Sequence, residues 1–393
     1  MACQADLSAE ARSRTRSRQV KRGAGEGNRT LVVSLGSFCS TIELHPRGPK
    51  HPDLIASCAA TCEAPSGTLA IMNQNVPAPQ AFKPIDPRKF LDPDTTAKGE
   101  RRAAVALTRL ETLWFNTGTL CNITCANCYI ESSPTNDRLA YLTLGEMTAF
   151  LDEAERLGQR PKTVAFTGGE PFMNPDMAAM AEAALFCGHD VLILTNAMKP
   201  MMRPRVQAAL IDLNARFATK LVLRVSVDHW RADLHDEERG AGAFEETVAG
   251  LRWLRDQGIA TAVAGRLRWG DDEHAMRDGF ATLFAHEGLK IDATDHAALV
   301  LFPEMDPRVD VPEITVDCWR ILNKSPTDMM CASSRMVVKR KGAPAPTVVA
   351  CTLLPYQSEF ERGATLEAAL APVRLNHPHC AKFCVLGGGS CKA

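Results

Sequence analysis

The sequence predicts an α/β protein built on a parallel sheet, and three observations carry that reading. Between Thr112 and Glu304, short apolar strand patterns and amphipathic helix patterns alternate about six times. The strands are apolar throughout rather than alternating, as parallel strands covered on both faces are. Each conspicuous polar motif falls just after a strand, at the end where loops build the active sites of parallel α/β folds. Such repetition requires right-handed crossovers, although periodicity alone does not separate an open sheet from a barrel.

In chain order, Thr112–Phe115 is the first strand, and a cysteine-rich loop leaves its C-terminal end. Thr143-x-x-Glu146 is a capping box that opens a helix with Met147, Phe150, Leu151, Ala154 and Leu157 on one face, stopped by Gly158. Strand Thr163–Phe166 runs directly into Gly168-Gly169-Glu170, and a helix follows over Asp176–Phe186. Strand Asp190–Leu194 ends in Thr195-Asn196; helix Arg205–Phe217 and strand Leu221–Val227 come next, the strand ending in Asp228-His229. Helix Phe244–Gln257, strand Ala260–Gly265, helix Glu273–His286 and strand Ala297–Phe302 complete the series. His229, His235 and Asp236 form a polar cluster near the strand ends, read either as substrate contacts or as a surface loop.

A chain of 393 residues has room for two domains, and 45% hydrophobic with 23% charged residues describes an ordinary soluble globular protein. A net charge of −1 favours neither a nucleic-acid backbone nor an anionic membrane, and no apolar run reaches the length of a membrane span. Fourteen cysteines in a long chain without a signal peptide point to metal or redox chemistry in a reducing cytoplasm. The first 71 residues lack helix or strand period and read as disordered, or as a spurious extension with the true start at Met72. The second reading rests on Gly27-Asn28-Arg29-Thr30, which GGGAATCGAACC can encode; its complement is the T-arm consensus of a transfer-RNA gene. Cys58 and Cys62 in this stretch have no companion at ligand spacing. Residues 73 to about 103 are Pro- and charge-rich and read as a lead-in arm, so that 1–106 precedes a core at 107–316.

The densest chemical signal is Cys121-Asn-Ile-Thr-Cys125-Ala-Asn-Cys128. One disulfide cannot use three cysteines, and the flanks supply no fourth ligand for tetrahedral zinc. Three thiolates and one vacancy fit a cubane [4Fe–4S] cluster with an open iron. This loop, followed one βα unit later by Thr167-Gly-Gly-Glu-Pro171, resembles the motifs of the radical S-adenosylmethionine (SAM) enzyme superfamily. The resemblance implies a partial (β/α)6 barrel, open on one side. It also implies that Cys121, Cys125 and Cys128 hold three irons while the amine and carboxylate of SAM chelate the fourth. By the same resemblance, Gly168 and Gly169 offer carbonyls to the methionine amine and Glu170 orients it. Asn196, Ser226 and Asp228 would contact the ribose and carboxylate; for Asn196 and Asp228 a turn or N-cap role is the alternative. Arg266 either pairs with the SAM carboxylate or is a solvated charge. Asn127 departs from the family's usual aromatic before the last cysteine, while Tyr129 follows it, as an adenine cover or a packing residue.

Beyond Asp317 the rhythm stops, and Cys318, Cys331, Cys351, Cys380, Cys384 and Cys391 follow in a small Cys-rich region over 317–393. Met336–Lys339 and Pro346–Ala350 read as a hairpin flanked by Cys331 and Cys351. This region resembles the SPASM and twitch extensions, which carry auxiliary [4Fe–4S] clusters. The resemblance implies one cluster on Cys331, Cys351, Cys380 and Cys384, with Cys391 competing and Cys318 spare; structural zinc remains the alternative. The expected function is reductive cleavage of SAM to a 5′-deoxyadenosyl radical that abstracts hydrogen from a substrate. The substrate is a peptide, or a small metabolite undergoing dehydrogenation, epimerisation or ligation. Electrons would come from a flavodoxin or ferredoxin. A non-catalytic iron–sulfur protein for SAM binding or electron transfer is the remaining class.

Overall fold

The computed structural model describes residues 83–388. The readings made on the first 71 residues, on Met72, Cys58 and Cys62, and on Cys391 lie outside them. The strand at Thr112–Asn116 has every residue buried, because parallel neighbours flank it on both sides and packing covers both faces. In chain order the elements are β1 (Ala104–Val105), β2 (Thr112–Asn116), α1 (Leu144–Arg156), β3 (Thr163–Thr167), α2 (Met177–Phe186), β4 (Asp190–Thr195) and α3 (Pro204–Phe217). Then come β5 (Leu221–Ser226), α4 (Ala232–Arg239), α5 (Ala243–Asp256), β6 (Ala260–Leu267), α6 (Glu273–His286) and β7 (Leu299–Pro303). The strands β8 (Ser334–Val338), β9 (Thr347–Val349), β10 (Glu361–Gly363) and β11 (Val373–Arg374) follow.

Nine of these strands form one sheet in the order β10-β9-β8-β2-β3-β4-β5-β6-β7. From β8 to β7 each neighbouring pair is parallel. The sheet does not close, so the architecture is a partial α/β barrel. Strand periodicity sorts its side chains into two layers. Leu113 and Phe115, Val164 and Phe166, and Val191 and Ile193 join the helices in the outer core. Trp114, Ala165 and Leu192 face inward and meet Met336, Val338 and Val349. Thr143 and Glu146 form the expected reciprocal capping box at the start of α1.

Three features depart from the sequence reading. The segment 232–239, read as a possible loop, is helix α4. The lead-in arm is largely exposed but tied from residue 83 onward to residues 308–313, by Ile85 N–H to Arg308 O and by Lys83 and Lys89 to Asp310. Arg102 is buried and donates to Glu313 at 2.6 Å, and β1 pairs with β11 near the C-terminus. Finally, the expected hairpin forms as β8 and β9 but does not stand apart: β8 lies beside β2 and extends the barrel sheet. The described residues fall in one compact unit, with no break at residue 317.

Candidate active site

Inward-facing residues at the strand C-terminal ends, together with the loops beyond them, line a cavity of about 790 Å³. Going up β5, Val222 packs in the inner core, and Arg224, Ser226 and Asp228 follow at two-residue steps into the cavity. Cys121, Cys125 and Cys128 line it beside Gly168, Gly169 and Asn196. The cysteine loop is anchored by main-chain bonds from both motifs. Cys121 N–H donates to Ser133 O, Gly169 N–H to Gly118 O and Glu170 N–H to Leu120 O, at 2.8–3.1 Å. The Ser132 N–H reaches the Cys128 sulfur at 3.3 Å, and Asn196 Nδ2 donates to Asn122 at 2.9 Å.

Burial pushes the Cys121 thiol up to about 12 and Cys125 up to about 11, and the nearby Cys128 pushes both the same way. Such thiols give up their protons only to a bound metal, so occupancy of this loop is coupled to proton release. Among the described residues no three His, Cys, Asp or Glu side chains are already gathered around a single-ion site. The donor set nevertheless fits a cluster: three sulfurs from eight consecutive residues, with no Cys or His in the flanking residues 117–120 and 129–135.

The glycines have a packing reason of their own. A Cβ on Gly169 would lie 2.2 Å from the Leu120 carbonyl oxygen, and one on Gly168 would lie 2.5 Å from that of Gly118. Both residues therefore let β3 approach the cysteine loop. Gly169→Ala should destabilise the fold by about 1–3 kcal/mol through overpacking, read as a lowered midpoint in chemical unfolding.

Glu170, expected to orient the methionine amine, is placed just behind the cavity wall. It is buried and absent from the cavity lining. Its carboxylate accepts from Phe172 N–H at 3.2 Å on Oε1 and from Asn196 N–H at 2.9 Å on Oε2, while the Thr195 hydroxyl donates within 3.1 Å. It thus ties the end of β4 to the turn after β3, a positioning role. Burial pushes it up to about 7 against those hydrogen bonds. A folded-state value above the ordinary one means that stability is fully present below about pH 4.5 and is lost as pH rises through about 7. Glu170→Gln puts an amide NH2 against one of the two backbone N–H groups, a loss of about 1–3 kcal/mol. It also removes that pH dependence. Unfolding free energies of both proteins at pH 5 and pH 8 check both effects.

Arg239, missed in the sequence, lies on α4 beside Cys125. It grips Asp228 through two bonds of 2.6 and 3.3 Å, so Asp228 is an ion-pair partner and not a free acceptor. Opposing its burial, Arg239 and Arg266 hold Asp228 below the usual carboxylate range. Glu238, next in the helix, accepts from both the N–H and the Nδ2 of Asn127, at 2.7 and 2.8 Å. That pair gives the unusual Asn127 its place: it docks the cysteine loop on α4. Arg266 lines the cavity but is already engaged by Glu238 at 2.9 Å and Glu304 at 3.2 Å. Tyr129 also lines the cavity and is 40% exposed. The polar cluster does not. His235 is wholly buried against Phe244 and pushed down to about 4 by burial. His229 lies 3.2 Å from Asp271, and Asp236 caps the N-terminus of α5 by accepting from Gly242 and Phe244.

The same cavity is also lined by Thr352, Leu353, His379, Lys382 and Phe383. Leu353 and His379 also border a second, small cavity of about 20 Å³ on which Cys331, Cys351, Cys380 and Cys384 converge. His379 Nδ1 is buried with no hydrogen-bond partner. Burial pushes Cys331 up to about 11 and raises Cys380 well above the usual thiol range. Four thiols and an orphaned ring nitrogen are donors of the type that iron–sulfur or zinc takes, although no three of them are gathered around a single-ion site as they stand. Cys318 stands apart, its sulfur accepting from Thr315 N–H at 3.3 Å.

Residues 115–267 match the model of the Radical SAM superfamily. An AdoMet-dependent heme synthase of Methanosarcina barkeri is 33% identical over 136 residues, 34% of this chain and 36% of the relative. The antilisterial bacteriocin subtilosin biosynthesis protein AlbA of Bacillus subtilis is 30% identical over 37% of this chain and 30% of its own length. Mycofactocin maturase MftC of Mycobacterium ulcerans is 30% identical over 36% of each chain. The matched region spans about a third of these relatives. Among solved structures, Streptococcus suis SuiB bound to S-adenosylmethionine superposes with a TM-score of 0.48 at 12% identity, covering 65% of this chain and 64% of SuiB. No helix of the described residues is long and apolar enough to cross a membrane.

Proposed function

We propose, from the premise that the chain belongs to the radical SAM superfamily, that it is an enzyme that cleaves SAM reductively and uses the product radical to take hydrogen from a substrate. The observation that carries this is that Cys121, Cys125, Cys128, Gly168, Gly169, Asn196, Ser226 and Asp228 all line one cavity. A [4Fe–4S] cluster bound there would supply the low-potential electron and an open iron for the SAM amine and carboxylate. The three cysteines would hold the cluster, and the backbone of Gly168–Gly169 would face the methionine amine. Asn196 would keep the loop and the end of β4 in register, and Glu170 would support Asn196 from behind. Ser226 and the Asp228–Arg239 pair would border the SAM nucleoside; Arg266 remains a cavity wall tied to Glu238 and Glu304. A flavodoxin or ferredoxin in a reducing cytoplasm is the electron source we expect.

Cys331, Cys351, Cys380 and Cys384 would hold an auxiliary [4Fe–4S] cluster across the cavity, with Cys391 as a further candidate ligand. The substrate would sit between the two cysteine sets. A peptide is the class we favour, supported by the similarity to a bacteriocin biosynthesis protein and a maturase. The equally similar heme synthase supports a second reading, a small-molecule substrate.

The test of the open iron uses the Cys331→Ala/Cys351→Ala variant, in which only the first cluster remains. Adding SAM to the dithionite-reduced protein should change the cluster's electron paramagnetic resonance (EPR) signal. An unaltered signal would favour an electron carrier without turnover.

A further inference from the structure

Past its last cysteine, the first cysteine loop turns back on itself. The Glu131 N–H donates to the Cys128 carbonyl at 2.9 Å, and Glu131 takes a left-handed backbone with φ of 53°. A residue with a Cβ adopts that conformation at an energetic cost, which its surroundings must hold in place. Its exposed side chain, paired with Arg138 at 2.8 Å on the surface, gives no reason for it. The turn determines where Ser132 lies. The Ser132 N–H donates to the Cys128 sulfur at 3.3 Å, and the residue, 4% exposed, lines the cavity together with Cys121, Cys125 and Cys128.

The hydroxyl of Ser132 is buried and has no hydrogen-bond partner among the described residues. A donor sealed from water without an acceptor carries the full cost of its desolvation. Ser133, next in the chain, shows the ordinary use of a loop hydroxyl: it accepts from the N–H groups of Asn136 at 3.0 Å and Thr135 at 3.3 Å. Packing alone would be served at position 132 by alanine, with nothing left orphaned. The loop is therefore short of one acceptor next to Cys128. A [4Fe–4S] cluster held by Cys128 brings sulfides bonded to the same iron as that sulfur, and sulfides accept hydrogen bonds. Hydrogen bonds to the sulfurs help set a cluster's reduction potential; a donor favours the reduced form, which carries the more negative charge.

We propose that the Ser132 hydroxyl donates a hydrogen bond to a sulfide of the cluster on the Cys121 loop and so raises that cluster's reduction potential, easing its reduction. The left-handed turn at Glu131 is what holds the hydroxyl there. The inference rests on the reading above that this loop holds a [4Fe–4S] cluster.

The test is an EPR-monitored redox titration of the full chain carrying Cys331→Ala/Cys351→Ala, anaerobically reconstituted with iron and sulfide, so that the first cluster alone is observed. Adding Ser132→Ala should shift its potential downward while iron and sulfide content stay the same. Ser132→Thr, which keeps a hydroxyl, should stay nearer the parent. Ser132→Gly, which also lacks the hydroxyl, should match Ser132→Ala and takes its place should that variant fail to hold the cluster. Pulsed EPR of the reduced proteins exchanged into D2O should show a deuteron coupling in the parent that the variants without the hydroxyl lack. An unmoved potential in a loaded variant without the hydroxyl would overturn the proposal, and so would deuteron couplings identical to the parent's. A parent chain that binds no cluster would overturn the cluster reading, and this inference with it.

Discussion

Cys125→Ala should leave no 5′-deoxyadenosine above the enzyme-free background, while the C-terminal site keeps its iron. Cys121 and Cys128 cannot hold a cubane by themselves, and α4 on the other side of the loop offers Glu238 and Arg239, already paired with Asn127 and Asp228. No described residue is placed to replace the lost sulfur. Cys331, Cys351, Cys380 and Cys384 converge on a different cavity, so their metal should survive. Iron content should fall by roughly four atoms per chain, the content of one cubane. Loss of all iron would mean that the two sets are not independent.

The second large effect is expected at the other set. Cys331→Ala/Cys351→Ala should still release 5′-deoxyadenosine but form no product, because the residues proposed to handle SAM line the large cavity and none of the C-terminal cysteines does. Substrate and its electron would be met beside Leu353 and His379, which border both cavities. Mössbauer spectra should show one cubane fewer than in the wild type. Full product formation by this double variant would make a C-terminal cluster dispensable. Arg335 donates to the Cys331 carbonyl, so circular dichroism of the double variant should accompany the assay to show that the fold persists.

The barrel strands were legible from their apolar runs, which are buried on both faces at Thr112–Asn116 and Thr163–Thr167. Helix α1 was legible from its capping box, which the structure forms. Helix α4 was not. Its sequence Ala-Asp-Leu-His-Asp-Glu-Glu-Arg has one large aliphatic residue and no apolar stripe, so periodicity had nothing to register. Yet it carries Glu238 and Arg239, which brace the cysteine loop. A run of good helix formers was the signal available. The hairpin after Cys331 was legible locally, but its place beside β2 depends on a pairing more than 200 residues distant that no local pattern encodes. The same holds for Glu170. Its position after Gly168-Gly169 suggested a ligand contact, whereas its partners Thr195 and Asn196 come from the next strand end.

The central claim is that SAM is cleaved in the cavity lined by Cys121, Cys125 and Cys128. The direct measurement is anaerobic incubation of the reconstituted wild-type chain with dithionite and SAM, followed by quantification of methionine and 5′-deoxyadenosine. The account predicts that both appear, in equal amounts, over successive turnovers. A cluster that dithionite reduces and that stays reduced in the presence of SAM, with neither product formed, would contradict it.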